Sequence, residues 1–87
     1  MSHVFYRRMA HRYPKAVRGQ GIYLWDAQGR RYIDASGGPV AVNVGHGVHE
    51  IAQALSEQAS QVAYVHGTLF TSEALEAYSD ALARWVP

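Results

Sequence analysis

Apolar and polar positions along this chain follow two different periods, and the change between them lays out the elements. From Ile22 to Trp25 the residues alternate, sending Ile22 and Leu24 to one face of a strand and Tyr23 and Trp25 to the other. Arg31-Tyr32-Ile33-Asp34-Ala35 forms the return strand. Between them, Asp26-Ala27-Gln28-Gly29 has turn chemistry, with Asp at the first position and Gly where a left-handed φ is needed. The pattern therefore predicts a β-hairpin within residues 16–35. Both of its faces are apolar or aromatic, and a lone hairpin is marginal in water, so it needs partners.

Further along, the period lengthens to that of a helix. Val48, Ile51, Ala52, Leu55, Ala59 and Val62 form one stripe, with Glu50 in the first turn where it favours the helix dipole. An extended connector, Ala63–Phe70, follows and breaks at Gly67. Thr71 or Ser72 is the expected N-cap of a second helix, whose stripe is Leu75, Tyr78, Leu82 and Trp85. Residues 1–15 mix Val4, Phe5, Tyr6, Met9 and Tyr13 with cations and show no clean period. They read as an arm that docks on another surface or as an adaptable tail. Pro14 holds Tyr13 extended.

The stretch from Tyr32 to His49 links the two periods. It runs out of the hairpin through Ser36-Gly37-Gly38-Pro39-Val40 and Gly45-His46-Gly47 to the first helix. Paired glycines allow positive φ and close backbone approach, while Pro39 steers Gly38 away from helical angles. Glycine-rich and apolar together, the segment reads as a pocket wall.

Hydrophobic residues make up 48% of the 87, which excludes a disordered segment. With no cysteine, neither a disulfide nor a thiolate metal site can compensate for a small core, and an intracellular setting fits. No apolar run approaches the ~18 residues of a membrane span, so the expectation is a cytoplasmic chain without membrane partners. Residues 1–31 carry seven basic side chains against Asp26, whereas residues 32–87 carry Arg84 against six acids. A nucleic-acid arm and a basic segment lying on an acidic neighbour would both show this polarity. No nucleic-acid motif accompanies it, and no nucleic-acid partner is expected.

Candidate chemistry is sparse. Gly19-Gln-Gly21 and Gly45-His-Gly47 lack the third glycine of a dinucleotide loop, and no phosphate-loop Gly-Lys-Ser/Thr is present. His46 and His49, three apart beside Glu50, could meet as metal ligands, but hydrogen bonding at the helix start is the better reading. Lys15, the single lysine, sits in the basic arm and reads as a solvated charge. These residues supply no catalytic group and no metal site.

The ordered set of pieces has a counterpart. Arg18-Gly-Gln-Gly-Ile-Tyr-Leu-Trp-Asp-Ala-Gln-Gly-Arg-Arg-Tyr-Ile-Asp34 resembles the N-terminal hairpin of class III pyridoxal-phosphate aminotransferases. Ser36-Gly37-Gly38, Asn43-Val-Gly45-His46, an alanine-containing helix through Gln58, and Thr68-Leu-Phe70-Thr-Ser72-Glu73 follow in the family's order. The agreement extends from about Tyr13 onward.

The resemblance implies an α+β fragment of a fold-type I enzyme: an arm (1–15), a hairpin and pocket loop of the small domain (16–47), and two helices (48–87) leading toward a large cofactor domain. The family transfers an amino group from an amine or amino acid to an oxo acid or aldehyde through pyridoxal 5'-phosphate, and it also includes a few isomerases and racemases. The groups that bind the cofactor would lie beyond Pro87, so the 87 residues alone are expected to be inactive. Tyr13, Ser36, Gly37, Gly38, Pro39 and Val40 would be substrate-side residues. Gly67, Thr68, Leu69 and Phe70 would reach the other subunit's site in a homodimer or higher oligomer. Two departures stand out. Gly45-His46-Gly47-Val48-His49 lacks the helix-starting proline many members carry. Pro39 and Val40 stand where several place Tyr or Trp, which leaves the substrate assignment open. Two other readings also remain open: a self-standing small α+β binding module, and a structural or regulatory piece that pairs with full-length subunits.

Overall fold

The structure, a computed structural model, describes residues 2–87, which fall into two units, one ending at His49 and one running from Glu50 to Pro87. In the first unit three strands, β1 (Ala16–Gln20), β2 (Tyr23–Asp26) and β3 (Arg31–Ile33), form an antiparallel meander in that order. The expected hairpin is β2–β3, with Tyr23 opposite Ile33, Leu24 opposite Tyr32 and Trp25 opposite Arg31. Strand β1 is an addition. It pairs with β2 through Arg18 and Trp25, Gly19 and Leu24, and Gln20 and Tyr23, with an irregularity between Ala16 and Arg18. Its sequence, Ala-Val-Arg-Gly-Gln, has no alternating apolar face because it is a mostly exposed edge.

The β2–β3 turn follows from its residues. The Gly29 amide donates to the Asp26 carbonyl at 3.0 Å, and Gly29 takes φ +79°, which closes a three-residue loop around Ala27-Gln28-Gly29. The Asp26 side chain organises that loop from below. Its Oδ1 accepts the amides of Gln28 (2.9 Å) and Arg30 (3.0 Å); its Oδ2 accepts the Arg30 guanidinium (2.7 Å) and the Tyr32 hydroxyl (2.8 Å). At 2% exposure, Asp26 is the one buried polar side chain among the described residues. Burial by itself would push its carboxyl up. The hydrogen bonds from Tyr32, the Arg30 amide and guanidinium, and the Gln28 amide together outweigh burial and bring the pKa from its ordinary 3.8 to about 2. The same hydrogen bond raises the pKa of Tyr32.

Of the predicted split of faces, the Tyr23 and Trp25 half is present, while Ile22 falls in the turn just before β2. Tyr23 and Trp25 share one face, where the Arg18 guanidinium lies 3.5 Å over Trp25 and that of Arg31 4.5 Å over Tyr23. The arm before β1 contains no strand or helix among its described residues. After β3 comes a one-turn helix, α1 (Gly37–Val40), with non-helical angles at Gly38 and Pro39.

The second unit contains most of α2 (His49–Gln61) and all of α3 (Glu73–Ala83), close to the predicted spans. Glu50 lies in the first turn of α2, and the Gln58 side chain donates to the Val62 carbonyl just past its end. Ser72 caps α3, accepting the Leu75 amide at 3.3 Å, and Glu73 and Glu76 occupy the first turn. The connector is not extended throughout. Leu69 and Phe70 both donate to the His66 carbonyl, and the His66 imidazole meets the Thr68 hydroxyl at 2.7 Å, which winds residues 66–70 into a turn. Among the described residues no hydrophobic side chain is buried, and Trp85 is 86% exposed.

Two outcomes test this sheet. Gly29→Val has free space for its side chain, so its cost is the left-handed backbone alone, about 1–2 kcal/mol; amide-exchange protection of β2 and β3 reads the loss, and unchanged protection would refute the turn. Because the folded pKa of Asp26 lies below its ordinary value, its stabilising effect is complete above pH 3.8 and disappears as the pH falls through about 2. The ¹³Cγ shift of Asp26 should titrate with a midpoint near that lower value; a midpoint at the ordinary carboxylate value would mean the four donors do not hold it.

Candidate functional site

The segment from Ala35 to Gly45 wraps a hollow of about 250 Å³, with Ile22, Asp34, Gly37, Val40, Asn43 and His46 among its walls. Sequence dictates its tight course. Gly37, Gly38 and Val40 take φ +61°, +69° and +56°. Glycine adopts such angles without steric cost, but a β-branched valine there stores on the order of 1–3 kcal/mol. The Gly37 carbonyl offsets this by accepting the amides of Ala41 (3.0 Å) and Val42 (3.1 Å). A Cβ on Gly37 would stand 2.9 Å from the Val42 carbonyl oxygen, so the chain needs glycine there.

Asp34 and His46 tie the segment's two ends together. Asp34 Oδ1 accepts the Gly37 amide at 3.1 Å, and Oδ2 lies 2.7 Å from His46 Nε2. An ionised carboxylate only accepts, so Nε2 is the protonated nitrogen in this pair. The hydrogen bond from His46 holds the Asp34 pKa below its ordinary value against the upward push of burial, with the Gly38 and Gly37 amides adding to the fall. The backbone of His46 also pairs with Gly21 in both directions, at 2.9 and 2.8 Å. A Cβ on Gly19 would come within 2.7 Å of the His46 ring, so β1 leaves a seat for the imidazole. His46 thus serves Asp34 and not the helix start, which corrects the expectation from sequence. Among the described residues no group of three His, Asp or Glu side chains could hold a metal ion.

The predicted site residues are only partly brought together. Ser36, Gly37 and Val40 line the hollow, and Pro39 lies within the same turn, with Val40 75% exposed. Tyr13 is elsewhere: it stacks on Tyr6 at 5.0 Å and meets the edge of His11 at 4.6 Å, beside a separate hollow in the arm. Gly67, Thr68, Leu69 and Phe70 belong to the second unit, in the turn that His66 organises. Asp34 and His46 were not singled out as a pair because twelve residues separate them. The available signal was an acid at the end of one strand and a histidine between two glycines.

The comparisons with known proteins fit this architecture. The model of the class-III aminotransferase family matches residues 5–87, and the chain belongs to that family. It is 39% identical over 75 residues to the uncharacterized aminotransferase YodT of Bacillus subtilis (strain 168), covering 86% of this chain and 17% of that protein. The crystal structure of a thermostable (S)-enantioselective ω-transaminase from Thermomicrobium roseum superposes with a TM-score of 0.80 at 39% identity, over 85% of this chain and 17% of that one. Taurine:2-oxoglutarate aminotransferase from Bifidobacterium kashiwanohense, solved with PLP and glutamate, gives 0.77 at 30% identity, over 88% and 18%. The chain therefore spans less than a fifth of the length of these relatives.

The residues present do not by themselves fit pyridoxal phosphate. The hollow contains a carboxylate–imidazole pair and no lysine, and Lys15 is exposed ahead of β1. The arrangement can shape a surface; it offers no lysine amine to hold the cofactor.

Gly37→Ala should break the loop, since the new Cβ meets the Val42 carbonyl and the backbone is left-handed. Amide exchange at Ala41 and Val42 should accelerate about tenfold or more, whereas unchanged exchange would show that the Gly37 carbonyl does not anchor the turn.

Proposed function

We propose that this chain supplies the substrate-side wall of a pyridoxal-phosphate-dependent, fold-type I aminotransferase. That enzyme moves an amino group from an amine or amino acid to an oxo acid or aldehyde. The family match over residues 5–87 carries this reading. The open loop at 36–40 supports it: Gly37 is held by its amide on Asp34 and by its carbonyl, which accepts the Ala41 and Val42 amides, and a backbone fixed in advance can face a ligand with little rearrangement. On this reading Ser36, Gly37, Gly38, Pro39 and Val40 border the substrate, and Tyr13 lies toward its entrance. The turn Gly67–Phe70, with Leu69 and Phe70 largely exposed, offers apolar surface to the other subunit of a homodimer or larger oligomer.

The cofactor would be held by groups outside these residues. The same PLP is named in the Bifidobacterium kashiwanohense structure. When bound it supplies the electron sink for the amino transfer, and this chain's part is to bind, orient and exclude water. A cytoplasmic location belongs to the same reading; no helix of the described residues is long and apolar enough to cross a membrane. A self-standing module is disfavoured, because no hydrophobic side chain among the described residues is buried.

Val40 is the sharpest test. In the complete aminotransferase that contains these residues, Val40→Trp should reorder activity across a panel of amine donors, while the 87 residues alone show no transamination. An identical donor ranking would remove Val40 from the substrate wall.

A further inference from the structure

The loop that faces the hollow is strained, and a strained loop stays in place only where its surroundings over-determine it. The strain sits at Val40, the one non-glycine residue at positive φ among the described residues, and it would relax if either end of the loop came loose. At the near end Asp34 grips the Gly37 amide. At the far end His46 is fixed by its backbone pairing with Gly21. Among the described residues, only the 2.7 Å contact between Asp34 and the His46 imidazole joins those two ends through side chains. The absence of a side chain at Gly19, where any Cβ would strike the ring, shows that β1 is shaped around that imidazole.

We propose that His46 is a positioning residue for substrate binding: through Asp34 it fixes the Gly37–Val40 backbone and so the place of Val40 at the hollow. His46 touches no reacting group in this scheme. Its effect passes through Asp34 to the Gly37 amide, and from there to the turn that presents Val40. The imidazole contributes one well-placed N–H donor at the reach of Nε2, a demand glutamine can also meet and alanine cannot. The inference rests on the aminotransferase reading only for its kinetic consequence; the grip on the loop stands independently of what the loop binds.

The experiment compares His46→Ala, His46→Gln and Asp34→Asn in the complete aminotransferase, with two readouts. Amide exchange at Gly37 and Gly38 should speed up about tenfold in His46→Ala and Asp34→Asn, and return most of the way in His46→Gln. The KM for the amine donor should rise about tenfold in His46→Ala while kcat changes by less than about threefold, again with recovery in His46→Gln. Unchanged exchange in both disrupted variants overturns the proposal, and so does an unchanged donor KM. Loss of folded protein in His46→Ala that His46→Gln fails to restore also overturns it, since His46 would then be scaffold alone. A wild-type protein that does not transaminate refutes the proposed function instead, and the exchange readout still judges the grip on the loop.

Discussion

The loop geometry of this chain depends on one carboxylate. Asp34 follows directly on β3, and its own amide still donates to the Ile22 carbonyl at 2.7 Å, so its position is set by the sheet. From that fixed point its two oxygens reach in different directions, one to the Gly37 amide and one to His46. The sheet's rigidity is thereby passed to a segment with no regular structure beyond one distorted turn. Loops that bind are commonly held by a rigid scaffold in this way. Here the transfer runs through the Asp34 side chain, with both oxygens engaged, and through the backbone pairing of His46 with Gly21.

Asp26 uses the same chemistry for a different end. Both aspartates have depressed pKa values because each accepts several hydrogen bonds. Asp26 spends all of its side-chain bonds inside its own hairpin, on Gln28, Arg30 and Tyr32, and closes it. Asp34 spends its bonds outward, on residues three and twelve positions away. The first carboxylate makes the sheet self-consistent at one end; the second, at the other end, exports that order to the loop. Such a division leaves the hollow's wall ordered although no hydrophobic side chain among the described residues is buried behind it.

How far the sequence revealed this follows from the range of each interaction. The β2–β3 turn was legible because Asp26 and Gly29 act within four residues, and Gly29 has the positive φ its position demands. Helices α2 and α3 were legible because their stripes and the Ser72 cap are local patterns. Strand β1 was not, since it is an edge whose pairing with β2 owes nothing to an apolar period. The Asp34–His46 pair was not either, because only the folded chain brings residue 46 back beside Gly21. His46 had two local explanations, a metal and a helix start, and the structure required a third. The role of His66 is local and was still not read: its carbonyl accepts the Leu69 and Phe70 amides, and its imidazole meets Thr68 two residues on.

The exposed apolar surface ties these points together. Ile51, Leu55 and Val62 on one helix stripe, and Leu75, Tyr78 and Leu82 on the other, are all solvent-exposed. A stripe of this kind is a helix face made to be covered, and propensity alone seldom sustains helices of 13 and 11 residues in water. Yet both helices carry local signals at their ends: α2 has Glu50 near its start and the Gln58 side chain on the Val62 carbonyl just past its end, and α3 has its Ser72 cap. Local bonds at helix ends fix where an element begins and stops, while burial of its stripe supplies most of its stability. In this chain signals of the first kind lie within α2 and α3, and the second kind points outward. The sheet and loop show the same split, with ladder and turn hydrogen bonds made within the unit and apolar side chains left exposed. A sequence built this way specifies its shapes locally and relies on contacts beyond these residues for its cohesion, as expected of a chain that spans less than a fifth of its relatives.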